Sequence, residues 1–343
     1  MNAMSFRWLR LVALVAALLV ATTFALAEAL SSRQAPTQIT VHSVPIEGFD
    51  VRDPSRQRFG DLEFRGGLEL TSSHKAFGGI SAIRVAPDGA RFIAVSDKGL
   101  WLRGRIVYDG KRPAGIAEAE MAPLLGADGK PLAVHGWFDT ESIAEDDGTL
   151  YVGIERVEQI VRFDYGRDGL LARGRPILVP PDFKTLTYNK SLECLVFVPK
   201  GMPLAGTLIT VTEGSFDHDG NHRSFLLKGD KVERFSVKRS DEFEVSDCAI
   251  LPSADLLLLE RRFTLMRGAA MRIRRVPLAG IKSGAVVDGR VLIEADLGYQ
   301  IDNMEGLAVH RTAQGEVVLT LVSDNNFAAI QRNILLQFTL IGE

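Results

Sequence analysis

Cysteine is almost missing from this chain: Cys194 and Cys248 are the only two in 343 residues. That scarcity excludes a disulfide-dense scaffold. Histidine is sparse too, with six. The one close pair, His218 and His222 in "FDHDGNH", lacks the further ligands that zinc requires. No G-x-S-x-G nucleophile elbow occurs. "GGISA" (78–82) lacks the second glycine and precedes a strand, which favours Ser81 as a hydrogen-bond donor over Ser81 as a nucleophile. Positive charge is not in surplus either. Forty Lys and Arg stand against 43 Asp and Glu, a formal net charge of -3, so no nucleic-acid partner is expected. Nor does any stretch keep a capped helical period over three turns; "AGIAEAEMAPLL" (114–125) comes nearest, and Pro123 limits it.

A long uncharged run occurs once, from Leu11 to Ala27, behind Arg7 and Arg10. With the small-x-small triplet Ala25-Leu26-Ala27 it predicts a signal peptide over 1–27, and Ala29 is the fallback cleavage site. An uncleaved membrane anchor is the rival. A linker (28–37) and one domain (38–343) would follow, periplasmic or secreted, monomeric, and free of the membrane after cleavage.

What the chain does contain is many short apolar runs broken by turn signals such as "PDG" (87–89), "EDDG" (145–148) and "VDG" (287–289). Its 46% hydrophobic and 24% charged residues suit a globular core. Five segments resemble one another: "GGISAIRV" (78–85), "DTESIAED" (139–146), "KSLECLVF" (190–197), "VSDCAILP" (245–252) and "NMEGLAVH" (303–310). Their anchors are Ser81, Glu141, Glu193, Asp247 and Glu305, recurring at intervals of roughly 50–60 positions. Intervals of that size, with about four strands per unit, indicate propeller blades. The expected fold is therefore all-β, a single β-propeller of five or six blades. The last unit lacks an outer strand, and "LEFRGGLELTS" (62–72) can supply it, so that both ends of the domain close one blade.

Each anchor opens one strand, and a second polar cluster closes the next, at Asp97, Glu155, Glu213, Glu260 and Asp324. In an antiparallel pair these two sets lie at the same end. The expectation is a ring of acids at one channel mouth, joined by Asp302, Asn303 and Asn325. Carboxylates so close together need neutralising. Arg156, Arg261 and Arg262 are available, and an all-oxygen site suits a hard divalent cation, with Ca²⁺ first. The alternative is structural: acids at strand ends accept N–H bonds from the next blade. Cys194 and Cys248 follow their anchors where other units carry Ala82, Ser142 and Gly306. Both are read as buried space-fillers in separate seams, with a disulfide as the alternative.

At "FGGIS…SDKG", "D-T-E-S-I", "ER…I-V-R-F", "LERRF", "DNMEGLAV" and "SDNNF" the chain resembles the phytase-like family described as having "esterase-like activity of phytase". The likeness runs from about 77–89 to 332–340. It implies an exported propeller and, by analogy with propeller phytases, Ca²⁺-assisted cleavage of a small anionic phosphate ester. Ser142, Asn325 and Cys194 depart from the family pattern, and Asn325 removes one carboxylate. The expected catalytic set is Glu141 and Glu305, which activate water, with Arg156 and Arg261 holding the substrate. The expected metal set is Glu193, Asp247, Glu305, Asp324 and Asn325. A non-catalytic binding propeller with a structural ion and a sugar-lactone hydrolase are the alternatives.

Overall fold

Tight turns cut this chain into strands. At Asp88-Gly89 the aspartate Oδ1 accepts the N–H groups of Ala90 and Arg91 at 2.9 and 3.0 Å. Gly89 takes φ 73°, a left-handed conformation that costs glycine little. Such turns generate the five small sheets of the computed structural model, which describes residues 35–264 and 266–343. The segment read as a signal peptide lies outside the described residues. Among the described residues no helix is long and apolar enough to cross a membrane.

The five sheets form a five-bladed β-propeller. From the channel outward, blade I runs Ile80–Val85, Arg91–Ser96, Leu100–Asp109, Arg112–Pro123 and Thr37–Gln38. Blade II runs Thr140–Asp146, Thr149–Ile154, Gln159–Phe163 and Arg175–Pro176. Blade III runs Cys194–Phe197, Leu208–Phe216, His222–Lys228 and Lys231–Val237, and Val286–Val287 crosses over to join its edge in parallel. Blade IV runs Glu244–Ile250, Asp255–Thr264, Gly268–Pro277 and Arg290–Asp296. Blade V runs Asn303–Arg311, Val317–Asp324, Asn333–Leu340, Leu62–Thr71 and His42–Ile46. Leu62 pairs with Leu340 and Leu70 with Asn333, so the two ends of the domain do close one blade. Within residues 38–75, His42–Ile46 and Leu62–Thr71 are outer strands of that blade rather than a sixth one.

Each seam between neighbouring blades holds one apolar cluster. The strands Val317–Asp324 and Asn333–Leu340 are buried on both faces, which is why they read as nearly continuous apolar runs. Gly306 keeps blade V close to blade I: a Cβ there would collide with Val322 and crowd the backbone of Ala82 and Ile83.

Strand register overturns two expectations. A bulge interrupts the inner pair at Ser81, Glu141 and Glu305: Ile80 faces Ser96 but Ala82 faces Val95, and Met304 faces Ser323 but Gly306 faces Val322. In blade IV the same interruption falls between Val245 and Asp247, so the equivalent of the anchors is Ser246, not Asp247. On the second strand, Arg261 then takes the place that Asp97, Glu155, Glu213 and Asp324 hold elsewhere. Slipping by one residue sends a side chain to the opposite face of a sheet. Glu260 is accordingly turned away from the mouth and fully buried, against Arg272 at 2.7 Å and Arg274 at 2.5 Å.

The same offset joins the cysteines. Cys194 faces Val211 and points into the seam with blade IV, whereas Cys248, one place further along its strand, points back into that seam. They form a disulfide with Cα atoms 5.1 Å apart. The space-filler assignment is therefore corrected to a bond that ties blades III and IV.

Candidate functional site

The inner strands deliver Ser81, Glu141, Glu193, Ser246 and Glu305 to one end of the channel, and the second strands deliver Asp97, Glu155, Glu213, Arg261 and Asp324 beside them. Backbone bonds fix this arrangement. Asp97 N–H donates to Gly79 O at 3.0 Å, Glu155 N–H to Asp139 O at 2.9 Å and Glu213 N–H to Ser191 O at 3.3 Å. Asp139 N–H in turn donates to Asp97 O at 2.6 Å, tying blade II to blade I. Two residues at this rim, Asp139 and Arg156, sit at φ 66° and 63°, a conformation uncommon for non-glycine residues. Backbone strain of this kind concentrates at functional sites.

Arg261 is the main internal cation. Its guanidinium bridges Glu305 at 2.9 Å, Glu213 at 3.1 Å and the Asn303 Oδ1 at 2.6 Å, while the Asn303 amide donates to Glu305 at 2.7 Å. Lys190 lies 2.9 Å from Glu244 and 3.7 Å from Glu213. Arg156 pairs with Asp139 and donates to Asn189 Oδ1 at 2.9 Å.

Several of the expected residues are structural acceptors. Glu155 accepts the Ser191 N–H from blade III. Asn325 Oδ1 accepts the N–H groups of Gly79 at 3.1 Å and Phe327 at 3.2 Å. Asp324 accepts Asn326 N–H at 2.7 Å. Asp302 accepts the N–H groups of Asn303 at 2.9 Å and Arg332 at 3.1 Å. Asp247 is withdrawn from the mouth altogether. Its carboxylate accepts the N–H groups of Leu307 and Cys248, both at 2.7 Å, and the guanidinium of Arg84 at 3.1 and 3.3 Å. Arg84 also donates to the carbonyls of Ile83, Leu195, Cys248 and Leu307, one each from blades I, III, IV and V. This hub stands across the channel axis beneath the mouth. Asp247 therefore has no free oxygen to offer as part of the expected metal set.

What remains at the mouth is an acidic group on the blade I and II side. Asp139, Glu141 and Glu155 each offer a carboxylate oxygen, and these oxygens lie within 4.8 Å of one another. Asp97 is next to them, with its Oδ1 buried and unbonded. A Cβ at Gly79 would collide with that carboxylate and with the Phe327 ring. Burial chiefly, and then the charge of Asp324, raises the Asp97 carboxyl to about 7. Burial raises Glu155 and Glu305 to about 8, against the opposing pull of the Ser191 N–H and of Arg261 respectively. Glu141 is pushed well up by burial and by Glu305 and Glu155, and Glu193 by burial and Glu213. These carboxyls hold their protons to higher pH than exposed ones do, and a bound cation would oppose that.

Asp139 was not among the residues expected from sequence. Its signal was present in "DTES", two places before the anchor, but that place in the other units holds Gly79, Ser191, Glu244 and Asn303, so similarity between units did not mark it. Lys190, Lys98 and Arg84 were also not anticipated.

A family model described as "Phytase-like: Esterase-like activity of phytase" matches residues 75–327. No curated protein matches the sequence. Among solved structures, the glutaminyl cyclase of Myxococcus xanthus is similar at 10% identity, covering 90% of this chain and 100% of that one, with a TM-score of 0.42. The Cps50 (Swd1) β-propeller domain of Myceliophteria thermophila is similar at 11% identity, covering 74% and 69%, with a TM-score of 0.33. Likeness at this level carries no argument about activity.

Proposed function

The chain belongs to the phytase-like family, esterase-like activity of phytase, and from that premise we propose a divalent-cation-assisted hydrolase of phosphate or related esters, working at the acidic mouth outside the cytoplasm. One observation carries it: three carboxylate oxygens of Asp139, Glu141 and Glu155 lie within 4.8 Å of one another. Oxygens bound to one Ca²⁺ at about 2.3–2.6 Å fall within that span. The donors are all hard oxygens, which suits Ca²⁺ over a soft metal. When bound there, the ion would polarise the ester and offset charge developing on its oxygen.

The protein's own groups supply the rest. Glu305, raised by burial to about 8 against the pull of Arg261, is suited to exchange a proton with a leaving oxygen. Asp97, at about 7, is suited to take a proton from water. Arg156, at the rim, presents a guanidinium to an anionic group. The Cys194–Cys248 disulfide supports an oxidising compartment, periplasmic or secreted.

The alternative is a binding propeller with a structural ion. The bonds from Ser191 N–H to Glu155 and from Gly79 N–H to Asn325 favour it, because they show mouth residues holding blades together. Purified protein should be titrated with Ca²⁺ calorimetrically and assayed on phosphate-ester and lactone panels with and without EDTA. The expected result is binding that Glu141→Gln weakens at least tenfold, with ester turnover abolished by EDTA. Ester turnover indifferent to EDTA, or wild-type protein that binds no divalent cation, would refute the metal-assisted reaction.

A further inference from the structure

We infer that the ester taken at this mouth is one of low charge with an apolar or aromatic arm, and that a cleft beside Arg156 receives the arm. The inference rests on the hydrolytic reading of the mouth. The first ground is the state of the cations. Arg261 is committed to Glu213 and Glu305, and Lys190 to Glu244, which leaves Arg156, paired with Asp139 at the exposed rim, as the guanidinium that an incoming group can share. Lys98 lies over the Phe327 ring, 2.9 Å from its centroid. A polyphosphate such as inositol hexakisphosphate requires several uncommitted cations around its phosphates. A single phosphoryl group can be matched by one ion and one guanidinium.

The second ground is the cleft. It has a volume of about 540 Å³ and is bordered by Arg156 and Glu158, with Val179, Pro180, Phe183 and Lys184 among its other walls. That volume lies in the range of small-molecule sites. Its walls mix apolar groups, Val179, Pro180 and Phe183 among them, with polar ones, and its charges are Arg156, Lys184 and Glu158, an excess of a single positive charge. Arg156 is the element common to cleft and mouth. It also has aromatic neighbours: its guanidinium carbon lies 5.1 Å from the Phe138 ring centroid and 5.8 Å from that of Tyr188. Tyr188 is 66% exposed and Phe138 36%. Exposed aromatics flanking a cation form a platform for a planar group. An aryl or alkyl phosphate therefore fits the arrangement: its phosphoryl group over the pit, its arm past Arg156 onto Tyr188 and toward Val179. Hydrolysis would proceed by water attacking phosphorus, with the P–O bond to the arm breaking and the released oxygen taking a proton. The products are inorganic phosphate and the arm as an alcohol or phenol.

The test compares 1-naphthyl phosphate, glycerol 2-phosphate and inositol hexakisphosphate as substrates with Ca²⁺ present, and measures binding of naphthyl phosphonate by fluorescence. Naphthyl phosphate should exceed glycerol phosphate in kcat/KM by at least tenfold, with inositol hexakisphosphate the poorest. Val179→Asp and Tyr188→Ala should each lower the naphthyl-to-glycerol ratio at least fivefold, mainly through KM. Preference for inositol hexakisphosphate, or ratios unchanged in both variants, would overturn the inference. If no ester is hydrolysed, the hydrolytic reading falls alone. Naphthyl phosphonate binding that Val179→Asp abolishes would still support the cleft, and no binding by folded wild-type protein would overturn it.

Discussion

With a chelator present, this protein should be more stable near pH 5 than near pH 8, the reverse of a protein whose carboxylates are stabilised by partners. Glu155 and Glu305 are raised from 4.5 to about 8, and Asp97 from 3.8 to about 7, in each case chiefly by burial. Between those limits the folded state holds protons that the unfolded chain has released. Stability is then present in full below about pH 4 and is lost as pH rises through about 8. One pKa unit corresponds to about 1.4 kcal/mol. The carboxyls neighbour one another and share Arg261, so their shifts do not add, and a loss of about 2–4 kcal/mol across the interval is expected for the group. In a domain of this size that corresponds to a Tm lowered by roughly 3–6 °C. Ca²⁺ binding displaces protons from its ligands, so millimolar Ca²⁺ should raise Tm more at pH 8 than at pH 5. Differential scanning calorimetry at pH 5, 6, 7 and 8, with EDTA or Ca²⁺, checks both arms. A chelated curve that is flat or rises with pH would show the buried carboxyls ionised without cost. A Ca²⁺ increment independent of pH would place the ion away from them.

Arg84→Met leaves Asp247 buried without its cation, and breaking such a pair costs about 3–5 kcal/mol; urea unfolding should show it, and adding Asp247→Asn should restore part of the loss. Cys194→Ser with Cys248→Ser opens a link between positions 54 apart, for which chain entropy gives about 4 kcal/mol; an unchanged denaturation midpoint would show the bond to be neutral. Deleting 332–343 removes the strand between Val317–Asp324 and Leu62–Thr71, so no cooperative thermal transition should remain.

The blade count and the closing strand were legible because turns and anchors recur at nearly constant intervals. The register of blade IV was not. "DLLLLE" (255–260) is apolar without alternation, since that strand is buried on both faces, so period-2 patterning has nothing to mark. "VSDCA" offers both Ser246 and Asp247 as an anchor, and chemical similarity selects the aspartate. The backbone bulge selects the serine. From that single step follow the loss of Asp247 and Glu260 from the mouth, the entry of Arg261, and the meeting of the cysteines. Asp139 was hidden for a different reason: it belongs to one blade only, and a repeat exposes what units share.

The Arg84 hub also bears on how long the folded ring lasts. Apart from its neighbour Ile83, its partners lie 111, 163, 164 and 223 positions away along the chain. Bringing them together requires four of the five blades to be in place, so the hub cannot assist early steps that depend on local contacts. Interactions absent from the folding transition state act almost wholly on the rate of unfolding. The guanidinium therefore works as a latch set last: it adds little to the speed of folding and slows the opening of the finished ring.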